Sequence, residues 1–97
     1  MRMTRLSEKG WLGQVIELAQ ATGWKVYHPW ISIHSARGWP DLALVRERLI
    51  LAELKSEAGK LSDEQVEWMV ALKTAKVEIY LWRPSNFQEV VKILSRK

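Results

Sequence analysis

The residues best suited to chemistry lie near the middle of the chain. Asp41, preceded by Pro40, is followed after eleven intervening residues by Glu53-Leu54-Lys55. Two carboxylates at facing ends of neighbouring strands make a hard, oxygen-only site of the kind that suits Mg²⁺ or Mn²⁺. Lys55 stands two residues after Glu53, so it shares the same strand face. There it could hold an attacking water or neutralise charge building on a phosphate. With a divalent ion bound, water activation and stabilisation of an in-line displacement become available.

Strand parity decides whether the two acids meet. If Arg46, Glu47 and Arg48 form a three-residue hairpin tip, Val45 faces Leu49 and Asp41 faces Glu53. A two-residue tip puts the acids on opposite faces. No Gly or Asn marks the turn, so both registers stay open. A plainer reading also stands, in which Asp41 caps the loop before a strand and Glu53 and Lys55 form an exposed same-face pair. Against it, Glu53 sits in Leu49-Ile50-Leu51-Ala52-Glu53-Leu54, a nearly continuous apolar run of the kind found in a covered central strand. A charge buried there is costly unless paired or metal-bound.

Two further residues point toward the same place. At 100° per residue from Glu8, Leu12 falls at about 40°, Val15 at about 340° and Ala19 at about 20°. Glu8 therefore lies on the apolar azimuth of the first helix and is a candidate third ligand. It equally fits a first-turn acid favoured by the helix dipole. Gln14, at about 240° on the same count, flanks the stripe as a rival. Gln65 forms a capping box with Ser62, and it also lies one turn from Met69, where its amide could orient Lys55 or a ligand.

The elements that must position these groups follow from pattern. Ser7 caps a first helix to about Ala21, with Trp11, Leu12, Val15, Ile16, Leu18 and Ala19 as its apolar stripe and Thr22-Gly23 closing it. Residues 25–32 read as a strand, 33–40 as a loop, and 41–45 and 49–55 as a hairpin. Residues 56–61 form a loop. Ser62 opens a helix to about Thr74 with Val66, Met69 and Val70 on one side. Residues 77–82 make a fourth strand, and Ser85 or Asn86 caps a last helix carrying Val90, Val91, Ile93 and Leu94. The expected fold is α/β, in the order α-β-β-β-α-β-α, with a central sheet flanked by helices.

Composition limits the alternatives. At 97 residues and 47% hydrophobic content, the chain is sized for one domain with a real core. It holds no cysteine and two histidines, His28 and His34, which removes disulfide scaffolds, thiol catalysis and cysteine-based metal centres. No apolar run reaches signal-peptide or membrane-span length, so a cytoplasmic protein is expected. Fifteen basic residues oppose eleven acidic ones, a net charge of +4 that points mildly to a polyanion. Setting aside Lys55 and the acids Glu8, Asp41 and Glu53 leaves 14 basic and 8 acidic residues, or +6. The acids are thus concentrated where a metal would neutralise them.

With these residues in place, the chain resembles the virus-type replication-repair nuclease (VRR-NUC) family of the PD-(D/E)XK nuclease superfamily. The resemblance spans Ser7-Glu8, Gly23-Trp24-x-Val26-Tyr27-His28, Gly38-Trp39-Pro40-Asp41-Leu42, Glu53-Leu54-Lys55, Gly59-x-Leu61-Ser62-x-x-Gln65 and Val77-Glu78-Ile79-Tyr80-Leu81-Trp82-Arg83-Pro84. It implies the restriction-endonuclease-like core with a mixed sheet over residues 1–97. It also implies a Mg²⁺- or Mn²⁺-dependent DNA endonuclease, with Asp41, Glu53, the Leu54 carbonyl and Glu8 as ligands and Lys55 as catalytic lysine. Stand-alone members of this kind are phage-encoded homodimers acting on branched DNA, including four-way (Holliday) junctions, which would place this chain in the host cytoplasm. Competing expectations are a non-catalytic nucleic-acid-binding domain retaining the fold, and an RNA nuclease or restriction-like subunit.

The remaining residues have secondary readings. Trp11, Trp24, Trp68 and Trp82 read as core or interface. Trp30 and Trp39 flank a loop and could stack on unpaired bases or wedge a junction. Arg37, Arg46, Arg48 and Lys60 could contact phosphates, although solvated charge is the default. His28 and His34 read as structural or surface groups. Trp11, Ile16, Phe87, Val91 and Leu94 look like more apolar surface than one small core needs, which suits a two-fold dimer with two sites. They could equally pack within one subunit.

Overall fold

The computed structural model describes residues 6–29 and 36–96. The elements are α1 (Glu8–Ala21), β1 (Lys25–Tyr27), β2 (Leu42–Val45), β3 (Leu49–Leu54), α2 (Asp63–Thr74), β4 (Ile79–Trp82), a short 3₁₀ turn (Pro84–Asn86) and α3 (Phe87–Ser95). The expected α/β order is present. The sheet runs β1-β2-β3-β4, with the first three strands antiparallel and β4 parallel to β3. No helix among the described residues is long and apolar enough to cross a membrane.

Strand alternation divides the sheet into two faces. On one, Leu42, Leu44, Ile50, Ala52, Leu54 and Trp82 pack with Trp11, Val15 and Ala19 of α1 and Val90, Ile93 and Leu94 of α3. On the other lie Glu53 and its same-face neighbours Leu51, Ile79 and Leu81, covered by α2. Two indoles tie the core together. The Trp11 N–H donates to the Trp82 carbonyl, and the Trp24 N–H to the Leu94 carbonyl, each at 2.9 Å.

The hairpin tip has three residues. Val45 pairs with Leu49, Leu42 pairs with Ala52, and the Arg46 N–H donates to the Arg48 carbonyl at 3.1 Å. The two tip arginines are not free cations facing a phosphate. Arg46 lies 4.4 Å from the Trp24 ring centroid and donates to the Thr22 and Leu94 carbonyls and to Glu47. Arg48 pairs with Glu78 at 3.0 Å and reaches the Ile93 carbonyl at 3.3 Å. Arg46 thus caps carbonyls at the C-terminal ends of α1 and α3, and Arg48 caps that of α3, where cations are favoured.

Several expectations need correction. The first strand ends at Tyr27 rather than near residue 32, and Pro29 cannot donate to a sheet ladder. Trp30 and His34 lie outside the described residues. Helix α2 buries no residue fully. Val66 and Val70 point outward, and Gln65, Trp68, Met69 and Leu72 form its half-buried side. Trp68 is therefore not core. It braces Trp39 edge-on, with ring centroids 4.9 Å apart. Asn86 does not cap α3 through its side chain; its Oδ1 accepts from the Arg83 N–H at 2.7 Å. Of the apolar residues expected at a dimer surface, Trp11, Leu94 and Ile16 belong to the core or pack on it. Trp11 and Leu94 are fully buried, Ile16 and Val91 are half-buried, and the partly exposed Phe87 ring contacts Trp11.

Because the Trp11 indole links α1 to the end of β4, Trp11→Phe should destabilise the fold by about 1–3 kcal/mol through the lost buried hydrogen bond and the space left behind. Urea denaturation checks this, and an unchanged midpoint would contradict the role assigned to the indole.

Candidate active site

The site is assembled at the ends of β2 and β3 opposite the hairpin tip. Three-residue tip parity puts Asp41 level with Glu53 on the α2 face. Asp41 Oδ2 accepts the Leu54 N–H at 2.8 Å, in effect continuing the ladder past Leu42 with a side-chain acceptor. Asp41 thus ties itself to β3 across the hairpin, and by parity it stands beside Glu53.

Glu53 is almost fully buried, at 1% exposure. Its Oε2 accepts from the Gln65 side-chain N–H at 2.7 Å, whereas Oε1 has no hydrogen-bond partner. Burial first, and then the neighbouring Asp41 charge, push the Glu53 carboxyl up to about 8; Lys55 opposes the shift and Glu8 adds to it. An unpartnered carboxylate oxygen beside a second carboxylate is an arrangement that a cation would relieve.

Gln65 makes the expected capping box, and its side-chain amide meets Glu53 and not Lys55. Its Oε1 accepts the Ser62 N–H at 2.8 Å, and its N–H donates to Ser62 Oγ at 3.1 Å, completing the capping box. The amide nitrogen that remains holds Glu53. The start of α2 is in turn pressed against the loop before Asp41. Gly38 has φ +85°, and a Cβ built there would stand 2.5 Å from the Glu64 carbonyl carbon and 2.7 Å from the Gln65 nitrogen. Trp68 reinforces the contact, its N–H donating to the Arg37 carbonyl at 2.9 Å.

Lys55 shares the Glu53 face and is largely buried, with Nζ 3.9 Å from Glu8 Oε1. Glu8 reaches the site but stays half-exposed at its rim, at 51%, because it belongs to the first turn of α1. Gln14 is exposed on α1 and is not among the residues lining the cleft. Among the described residues, no group of three His, Cys, Asp or Glu side chains is placed to hold a metal ion. The candidate donors that the strand register brings level are the Asp41–Glu53 pair. That pair fits Mg²⁺ or Mn²⁺, which keep several waters and take one or two protein carboxylates.

A cleft of about 1000 Å³ opens beside the pair and is lined in part by Glu8, Asp41, Leu54 and Gln65. Tyr27, His28, Arg37 and Trp39 also line it. Tyr27 was not singled out from sequence. The available signal was parity, since Tyr27 pairs with Ala43, two residues from Asp41 on the same face. No family model, curated protein or solved structure matches the chain.

Two outcomes follow. In chelator, the folded protein binds more protons than the unfolded chain between pH about 4.5 and about 8, because folding raises the Glu53 pKa. Stability is therefore full below about 4.5 and falls as pH rises through about 8, and Glu53→Gln should flatten that limb in thermal melts across the range. Separately, Gly38→Ala should cost about 2 kcal/mol or more from positive-φ strain and backbone collision. Unfolding curves would show this as a lowered midpoint, and a neutral effect would mean the loop does not press on α2.

Proposed function

We propose that this chain is a divalent-metal-dependent DNA endonuclease of the VRR-NUC type, hydrolysing phosphodiester bonds in branched DNA such as four-way junctions. The observation that carries the reading is the Asp41–Glu53 pair, in which Glu53 is buried with one unpartnered oxygen and Asp41 opens onto a cleft that also holds basic and aromatic groups. The resemblance along nearly the whole chain supplies the family, and the charge pattern suits a polyanionic substrate.

In this reading, Asp41 and Glu53 would hold Mg²⁺ or Mn²⁺, with the Leu54 carbonyl as a further donor the resemblance implies, while Glu8, which it also implies, stands beside Lys55 and not with the pair. The ion supplies Lewis acidity at the scissile phosphate. The chain's own residues do the rest. The Leu54 N–H fixes Asp41, and the Gln65 amide fixes Glu53, so both carboxylates are pre-organised. Lys55, held by its neighbours with little exposure, places a positive charge beside the acids where negative charge develops. Glu8, at the rim, sets the position of that ammonium.

A homodimer belongs to the same proposal, because cutting two strands of a junction calls for two sites related by symmetry. The exposed apolar groups left for such a contact include Val45, Leu49, Val66, Val70 and, on α3, Phe87.

Cleavage assays on duplex, flap and four-way-junction DNA with Mg²⁺ or Mn²⁺, alongside RNA, test the function. Asp41→Ala, Glu53→Ala and Lys55→Ala should each lower the rate by about 10³-fold or more, several kcal/mol of barrier, while DNA binding persists. Near-normal cutting by Glu53→Ala would end the proposal. Independently, Mn²⁺ should raise the melting temperature of the native protein but not of the Asp41→Ala protein. Light scattering checks the dimer: a mass near 11.3 kDa, unchanged by junction DNA, would remove it.

A further inference from the structure

The cleft contains more than the carboxylate pair requires. Tyr27 is 64% exposed at the end of an edge strand, and Trp39 is 38% exposed on the loop leading to Asp41. Both line the same cleft as Asp41 and Leu54. Tyr27 pairs with Ala43, so it shares the face of Asp41 as a diagonal neighbour, about 7–8 Å away along the sheet. Trp39 is held rigidly for an exposed aromatic, with Trp68 edge-on at 4.9 Å and Gly38 seated on the backbone of α2. Lys9 and Arg37 line the cleft as well. Large exposed rings are unfavourable in water, and a braced one beside acids and cations suits a flat, uncharged ligand joined to phosphates.

We propose that this cleft takes an unpaired nucleobase from the DNA strand being cut, stacked on Tyr27 and bounded by Trp39. The inference rests on the DNA reading above and deepens it by naming the feature of the substrate that is recognised. A base within intact duplex is stacked on both sides and offers no ring face, whereas an unpaired one offers both. Selection therefore acts through the base beside the scissile phosphate: loops, flaps and open junction centres enter, and continuous duplex does not. Every base has a ring face, so little sequence preference is expected. Lys9 and Arg37 are left to meet the flanking phosphates.

The test uses DNA with 2-aminopurine at an unpaired position next to a duplex end, titrated with the intact protein in chelator so that no strand is cut. Binding should quench the fluorescence strongly. Tyr27→Ala should weaken affinity about ten-fold, Tyr27→Phe should restore it, and Trp39→Ala should reduce the quench. Tyr27 is exposed, so its variants should melt as the native protein does, which separates lost stacking from lost folding. Unchanged fluorescence at saturation, equal affinity for fully paired duplex, or native binding by Tyr27→Ala would overturn the inference. A parallel cleavage assay in Mn²⁺ keeps the two readings apart. Cutting without any dependence on Tyr27 removes the base site alone, and Tyr27-dependent quenching without cutting removes the nuclease alone.

Discussion

The site depends on the parity of one hairpin. A tip of three residues brings Asp41 level with Glu53, and any slip by one residue would send the acids to opposite faces of the sheet. Nothing in the tip's own turn chemistry enforces that count, since it contains neither glycine nor asparagine. Tertiary contacts enforce it instead. Arg46 lies over Trp24 and reaches the end carbonyls of α1 and α3, while Arg48 is fastened to Glu78. The register is thus locked at the end of the hairpin farthest from the acids.

At the other end, the same residues serve both architecture and chemistry. Asp41 extends the ladder through the Leu54 N–H, and Gln65 starts α2 while holding Glu53. A carboxylate or amide has more than one hydrogen-bonding atom, so a structural bond does not exclude a functional one. The outcome is a preset pair of carboxylates whose geometry follows from helix capping and strand pairing. Among the described residues, the unpartnered Glu53 oxygen is the one buried acid atom that this economy leaves over.

Much of this was legible in the sequence because it rests on local periodicity. Element order, the α1 stripe, the Ser62–Gln65 cap and the burial of Glu53 within an apolar run all follow from spacing. The tip length was legible only as two alternatives, since parity needs a register that the turn residues do not specify. Readings failed where burial is decided by distant partners. Val66 and Val70 look like the inner side of α2, yet both are exposed, and the helix offers Gln65 to Glu53 and Trp68 to the loop before Asp41. Arg46 and Arg48 look like solvated charges until the ends of two helices are brought beside them. Tyr27 was missed because its importance lies in its position across the sheet from Asp41, not in its sequence neighbours.

The two indole hydrogen bonds also bear on the order in which the molecule comes into being. Trp11 is tied to residue 82 and Trp24 to residue 94, sequence separations of 71 and 70. During synthesis the amino-terminal helix leaves the ribosome long before either acceptor exists. The hairpin that carries Asp41 and Glu53 closes over a short loop, but the core that backs it waits for the last helix. The contacts that lock the hairpin register, Arg46 on the Leu94 carbonyl and Arg48 on Glu78, likewise wait for residues made later. The pairing of the two acids and the dry backing of their sheet are therefore completed together, once α3 is in place.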